Sequence, residues 1–166
     1  VERGDAIEIE EADENRMDAV WPIIREVAAE SDTDSMLPTI TFEEAKKIWF
    51  SESHRVFTAS SAGRLVGTYW VAPNRFGLGS HVANAGYMVH PDQRGRGVAS
   101  AMLEHSFNTA RAEGYRAMQF NYVVSTNEIA VRLWKRHGFK EVGRVPQAFA
   151  HGRGDFVDVL IMHRFL

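Results

Sequence analysis

Apolar and polar residues alternate over Ala6-Ile7-Glu8-Ile9-Glu10, a period of two that predicts a first strand. Behind Asp13, a helix-capping residue type, Met17, Val20, Trp21, Ile24, Val27 and Ala28 recur at helical spacing. Pro22 falls inside that pattern and predicts a kink or a restart. Residues 31–39 are polar and turn-like, with Pro38 among them. Thr41-Phe42-Glu43-Glu44 is a capping box, opening a short helix that ends near Phe50. Leu37 and Ile40 lie on the connection between the two helices. Residues 54–59 and 64–71 read as strands joined by the hairpin signal Ser60-Ser61-Ala62-Gly63. A loop rich in Gly, Pro and Asn covers 72–80, and a strand follows over 81–89. Residues 98–113 form a helix with Ala99, Met102, Leu103, Phe107 and Ala110 on one stripe, closed by Gly114. The nearly continuous apolar run 118–124 predicts a buried central strand. Residues 127–137 are a helix ended by Gly138, with Phe139 packing back on Trp134. Residues 141–149 and 156–165 are the last strands, linked by His151-Gly152-Arg153-Gly154.

The order is one strand, two helices, three strands, then helix, strand, helix and two strands. It predicts an α+β chain: a mixed, mostly antiparallel sheet of seven strands with helices on both faces. No repeat or linker interrupts residues 1–166, so one domain is expected, and 166 residues suffice for a real core. The net charge of −3 argues against a general nucleic-acid-binding surface. The chain has no cysteine, which excludes disulfides, thiolate chemistry and zinc–thiolate sites. The seven histidines show no metal-ligand spacing, so no metal is expected. No apolar run approaches membrane-spanning length and the acidic N-terminus is no signal peptide, so a cytoplasmic protein without membrane contact is expected.

One stretch carries chemistry. Tyr87-Met88-Val89-His90-Pro91-Asp92-Gln93-Arg94-Gly95-Arg96-Gly97-Val98-Ala99 runs from strand through a glycine-bearing loop into a helix N-terminus. Such an N-terminus offers unpaired N–H groups and the positive dipole end, which suit a phosphate. Gly95 and Gly97 let the backbone approach a ligand, and Arg94 and Arg96 add charge-assisted bonds to anionic oxygens. The spacing is neither a dinucleotide fingerprint nor a P-loop. Arg94-x-x-Gly97-x-Ala99 resembles the acyl-CoA signature of the GNAT superfamily of N-acetyltransferases. Asn127-x-x-Ala130-x-x-Leu133-Trp134-x-x-x-Gly138-Phe139 matches a second motif of that superfamily. The resemblance covers the chain from about Ile7 onward and is strongest over residues 82–145.

The resemblance implies acetyl-CoA as co-substrate. It implies contacts with Met88, Val89, Arg94, Gly95, Arg96, Gly97, Val98, Ala99 and Asn127. It also implies that the strands at 81–89 and 118–124 splay to admit the acyl chain, with the backbone N–H of Val89 polarising the thioester carbonyl. Members of the superfamily are often homodimers.

Two positions depart from the family pattern. Many members carry a glutamate base on or beside the fourth strand, whereas residues 81–90 contain no carboxylate. Many protonate the departing thiolate with a tyrosine of the last helix, where this chain has Trp134, which has no acidic proton to give. Three asparagines stand out: Asn84, Asn121 and Asn127. A buried amide without a partner costs about 1–3 kcal/mol, so Asn84 and Asn121 bind either a ligand or the strands' own backbone. Asn127 is also a natural N-cap.

Residues 80–86, 120–127 and Gly143-Arg144-Val145 look like the fungal proline-analogue N-acetyltransferases, which acetylate the ring nitrogen of azetidine-2-carboxylate. In those enzymes the asparagines matching Asn84, Asn121 and Asn127 serve substrate binding and catalysis in place of a carboxylate base. Asn84 and Asn121 are therefore the expected substrate contacts, with Asn121, Asn127 and Val89 catalytic. His81 is the one histidine kept as a candidate base. The expected activity is acetylation of a small amine, a proline-like amino acid or analogue. Acetylation of a peptide N-terminus or an antibiotic amine, and acyl-CoA sensing without turnover, are the alternatives.

Overall fold

The computed structural model describes residues 6–166, so residues 1–5 of the expected domain lie outside the described residues. In chain order the elements are β1 (Ile7–Ala12), α1 (Met17–Glu30), α2 (Phe42–Trp49), β2 (Arg55–Ser61), β3 (Arg64–Pro73), β4 (Val82–Val89), α3 (Val98–Ala112), β5 (Ala117–Val124), α4 (Glu128–Arg136), β6 (Lys140–Ala150) and β7 (Phe156–Phe165). The strands form one sheet in the order β1-β2-β3-β4-β5-β7-β6. Every neighbouring pair is antiparallel except β4–β5.

The strand alternation sends side chains to cores on the two faces of the sheet, with a smaller cluster of Val124, Phe149, Val157 and Val159 at the β5–β7–β6 end. Phe57, Ala59, Tyr69, Val71, Ala83, Ala85, Met118 and Phe120 pack against α3 and α4 through Met102, Leu103, Phe107, Leu133 and Trp134. On the opposite face Val56 and Met88 meet Met17, Val20, Ile24, Ala45 and Trp49 of α1 and α2. Helices therefore cover both faces. Among the described residues no helix is long and apolar enough to cross a membrane.

The expected caps form. Asp13 accepts from the Asn15 N–H at 2.9 Å, opening a 3-10 turn that leads into α1. Thr41 and Glu44 close the capping box, with Thr41 N–H to Glu44 Oε2 at 2.8 Å and Glu44 N–H to Thr41 Oγ1 at 3.3 Å. Two expectations need correcting. α1 runs through Pro22 without a restart. The carbonyl left without a donor is that of Asp18, which is exposed and can be met by water. β3 also extends two residues past Val71, into the stretch read as loop. The missing N–H of Pro73 points to the β2 side, and β2 begins at Arg55 opposite Val71, so no ladder bond is lost.

Burial holds the His54 imidazole below the usual histidine range, against the opposing effect of its hydrogen bond to the Trp49 carbonyl. Burial lowers His105 as well. Both favour the neutral ring, so their stabilising contribution is present above the ordinary histidine pKa and is lost as pH falls below it. The desolvated Asp34 carboxyl, raised from its ordinary value, acts in the opposite sense at more acidic pH. The thermal midpoint is expected to fall between about pH 7.5 and 5.5, and to fall less in His54→Asn. Calorimetry across that range checks this, and equal slopes for both proteins would contradict it.

Candidate active site

β4 and β5 pair only at Val82↔Ala117 and Ala83↔Met118. Beyond these residues the parallel strands separate, leaving a fork open toward the C-terminal ends of both. Strand parity decides which backbone groups face it. Val82 C=O accepts from the Asn74 N–H and the His90 N–H bonds Val66, so even-numbered residues of β4 face β3. Odd-numbered ones face β5. The N–H groups of Ala85, Tyr87 and Val89 thus project into the fork, where β5 offers them no ladder. The Ala85 N–H is taken by Asn84 Oδ1 at 2.8 Å. Those of Tyr87 and Val89 have no strand partner on the β5 side.

The fork opens onto the phosphate-type loop. Pro91–Gln93 forms a 3-10 turn, Arg94 is extended, and Gly95 (φ 74°) and Gly97 (φ 82°) adopt the left-handed conformation that glycine favours. A Cβ at either glycine would meet no atom within 4 Å, so the space above the loop is open. α3 has no side-chain N-cap and no acidic residue in its first turn. The N–H groups at its start and the dipole end are left for an anion, and a pyrophosphate fits this cradle. Val98 is buried against the α3–α4 core, so only its backbone can serve there. The two arginines differ from the expectation. Arg94 is held by Glu30 at the end of α1 in a bidentate pair of 3.0 and 2.5 Å. Arg96 is exposed beside the cradle. Arg94 therefore ties the loop to α1, and its guanidinium is not free to meet an anion while that pair stands.

On the α1–α2 face of the sheet, at the mouth of the fork, lies a group of amides. Asn84 projects there from β4, and its N–H donors remain once Oδ1 is spent on Ala85. Asn121 sits in a bulge, since the β5–β7 register advances three residues on β5 (Phe120 to Val123) against two on β7. Bulges re-aim side chains near functional sites. Asn121 Nδ2 donates to Asn74 Oδ1 at 2.6 Å, and Gln119 Nε2 donates to Asn121 Oδ1 at 3.0 Å. Sequence reasoning missed Asn74 and Gln119. Gln119 could have been found, because it shares the face of Asn121 by strand alternation. Asn74 could not, because its approach to Asn121 crosses β4.

The remaining expected residues separate. Asn127 caps α4 through Oδ1, accepting from the Ala130 N–H at 3.3 Å, and keeps its Nδ2 free. Trp134 is packed among Tyr87 (ring centroids 5.4 Å), Phe120 (4.9 Å) and Phe139 (6.3 Å), which is helix-end packing. The Tyr87 hydroxyl is bonded to Ser106 at 2.6 Å, and burial raises its pKa above the ordinary phenol value. Met88 leaves the cofactor set: its side chain is buried under α1 and its backbone faces β3. His81 leaves the candidate bases: it precedes β4 at the closed end of the fork, about 26 Å along the strand from Val89. Gly86 lies beneath the Trp70 indole, where a Cβ would stand 2.6 Å from Nε1, so only glycine fits between that ring and β4.

A splayed parallel strand pair with an uncapped glycine loop at its open end is the arrangement of the acyl-CoA-dependent acetyltransferase class. The profile of the acetyltransferase (GNAT) family matches residues 17–139, and this chain belongs to that family. It is similar to the N-acetyltransferase aca1 of Schizosaccharomyces pombe, 32% identical over 98 residues that make up 58% of this chain and 47% of that protein. The match thus spans about half the length of that relative. Among solved structures, a GCN5-related N-acetyltransferase from Kribbella flavida superposes with a TM-score of 0.90 at 39% identity, covering 97% of this chain and 98% of the other. The fold of yncA from Salmonella typhimurium, solved with acetyl-CoA, agrees with a TM-score of 0.84 at 20% identity over 98% of this chain and 95% of the other.

Proposed function

We propose that this chain transfers an acetyl group from acetyl-CoA to the nitrogen of a small amine that carries a carboxylate, a proline-like amino acid or analogue. The observation that carries the reading is the amide group of Asn74, Asn84, Gln119 and Asn121 at the mouth of the fork, beside a fourth strand whose own residues 81–90 include no carboxylate. Neutral N–H donors suit an anionic acceptor, whereas a glutamate in the place of Asn84 would repel it. The resemblance to the proline-analogue enzymes at Asn84, Asn121 and Asn127 points the same way.

Acetyl-CoA supplies the acetyl thioester. The cradle of Gly95, Gly97 and the start of α3 holds its pyrophosphate. The Val89 N–H stabilises negative charge on the carbonyl oxygen as the C–N bond forms and the C–S bond breaks. The Asn84 Nδ2 holds the acceptor carboxylate, while Asn121 and Asn127 orient the amine and a water. The amine gives up a proton, which water carries toward the departing sulfur. Residues 81–90 supply no carboxylate base, so in this reading the reaction selects acceptors already in the free-amine form. Positioning of this kind can supply a large part of the ~7–11 kcal/mol that well-oriented reactants gain.

Thiol release with acetyl-CoA and a panel of amines tests the reaction, and a sensor would release none. The alkaline rise in kcat/KM is expected to follow the acceptor's own amine pKa and to move when a less basic acceptor is used. A limb fixed at about pH 6–7 for both acceptors would show a protein base and refute the mechanism.

A further inference from the structure

We infer that Asn74 is a positioning residue that holds the Asn121 carboxamide in one of its two orientations. The inference rests on the reading that Asn121 orients the acceptor amine. Because Asn121 occupies a bulge, the β5–β7 ladder does not dictate where its side chain points. A carboxamide has a donor end and an acceptor end related by a half-turn, and a ligand meets one or the other. Asn74 Oδ1 receives Asn121 Nδ2 at 2.6 Å, the shorter bond of the row, and Gln119 Nε2 reaches Asn121 Oδ1 at 3.0 Å. The row therefore runs Gln119 to Asn121 to Asn74, and Asn121 keeps one N–H and one lone pair at defined places for ligand.

The backbone of Asn74 is fixed in place. It follows Pro73, whose φ is restricted by its ring, and its backbone N–H donates to the Val82 carbonyl at 2.8 Å. Its side chain thus links the end of β3 to β5, which are separated by β4 in the strand order. The bond joins the end of β3 to β5 three residues past Met118, the last β5 residue paired with β4. Asn74 needs no contact with the reacting atoms, because its effect passes through Asn121.

Two variants test this. Aspartate only accepts when ionised, so Asn74→Asp preserves an Asn121 donor bond, whereas Asn74→Leu removes it. In NMR spectra the Asn121 side-chain amide protons are expected to exchange faster and to shift in Asn74→Leu, and to stay protected in Asn74→Asp. Unchanged Asn121 amide signals in Asn74→Leu would overturn the inference. In kinetics, Asn74→Leu is expected to lower kcat about tenfold with unchanged CoA affinity, and to cost nothing further in an Asn121→Ala background. Additive losses would show that Asn74 does not act through Asn121 and would also overturn it. A wild-type protein that acetylates no amine would defeat the functional reading, while the NMR comparison would still decide whether Asn74 holds Asn121.

Discussion

Gly97→Glu is expected to weaken acetyl-CoA binding by on the order of 100-fold or more while the protein remains folded. Gly97 stands at the N-cap of α3 with φ 82°, and no heavy atom lies within 4 Å of where a Cβ would be. Apart from its chain neighbours, a Cβ there meets no protein atom, which is why the fold should survive. The left-handed conformation costs a non-glycine residue about 1–2 kcal/mol. The larger effect is electrostatic: a carboxylate placed over uncapped N–H groups occupies the anion's position and repels the pyrophosphate. Gly97→Ala separates the two contributions, since it carries the backbone strain without the charge. Isothermal calorimetry checks the affinity and circular dichroism the fold. A folded Gly97→Glu protein with near-wild-type affinity would refute the assignment of this loop to acetyl-CoA.

Asn84→Ala is expected to raise the acceptor KM by about five- to hundred-fold, with little change in CoA affinity. In the structure Oδ1 of Asn84 satisfies the Ala85 N–H, and the proposal gives its Nδ2 the acceptor carboxylate. Alanine removes both. Asn84→Asp keeps an acceptor for the Ala85 N–H and replaces the free donors with negative charge. If Asn84 holds a carboxylate, aspartate should be at least as damaging as alanine for an amino acid acceptor. It should be milder for the corresponding amino amide. Steady-state kinetics on that acceptor pair decide the point. A normal KM in Asn84→Asp with a raised one in Asn84→Ala would leave Asn84 with its structural bond alone.

Glu30 gives the site a feature that motif matching does not suggest. Its pair with Arg94 joins the phosphate loop to the end of α1. The chain continues at Ser31, whose carbonyl accepts from the Gly152 N–H at 2.8 Å. The connection between α1 and α2 is therefore fastened at its start to the loop that carries Arg94 and to the turn between β6 and β7. These attachments lie far apart in sequence and have no periodic signature.

The sequence by itself determined the elements and the cradle. Two-residue and 3.6-residue periods located the strands and helices, because burial of one face selects that spacing. Gly95 and Gly97 marked the loop, because few other residues accept positive φ. Local chemistry also predicted the capping box at Thr41 and the cap at Asn127. The tertiary structure alone decided how far β4 and β5 separate, and which backbone donors that leaves facing the fork. It assigned Arg94 to Glu30, turned Met88 away from the fork and set His81 at its closed end. It also brought Asn74 to Asn121 across β4. The common reason is that these facts depend on pairings between distant segments. A sequence period reports which face of one element is buried and carries no record of what lies opposite it.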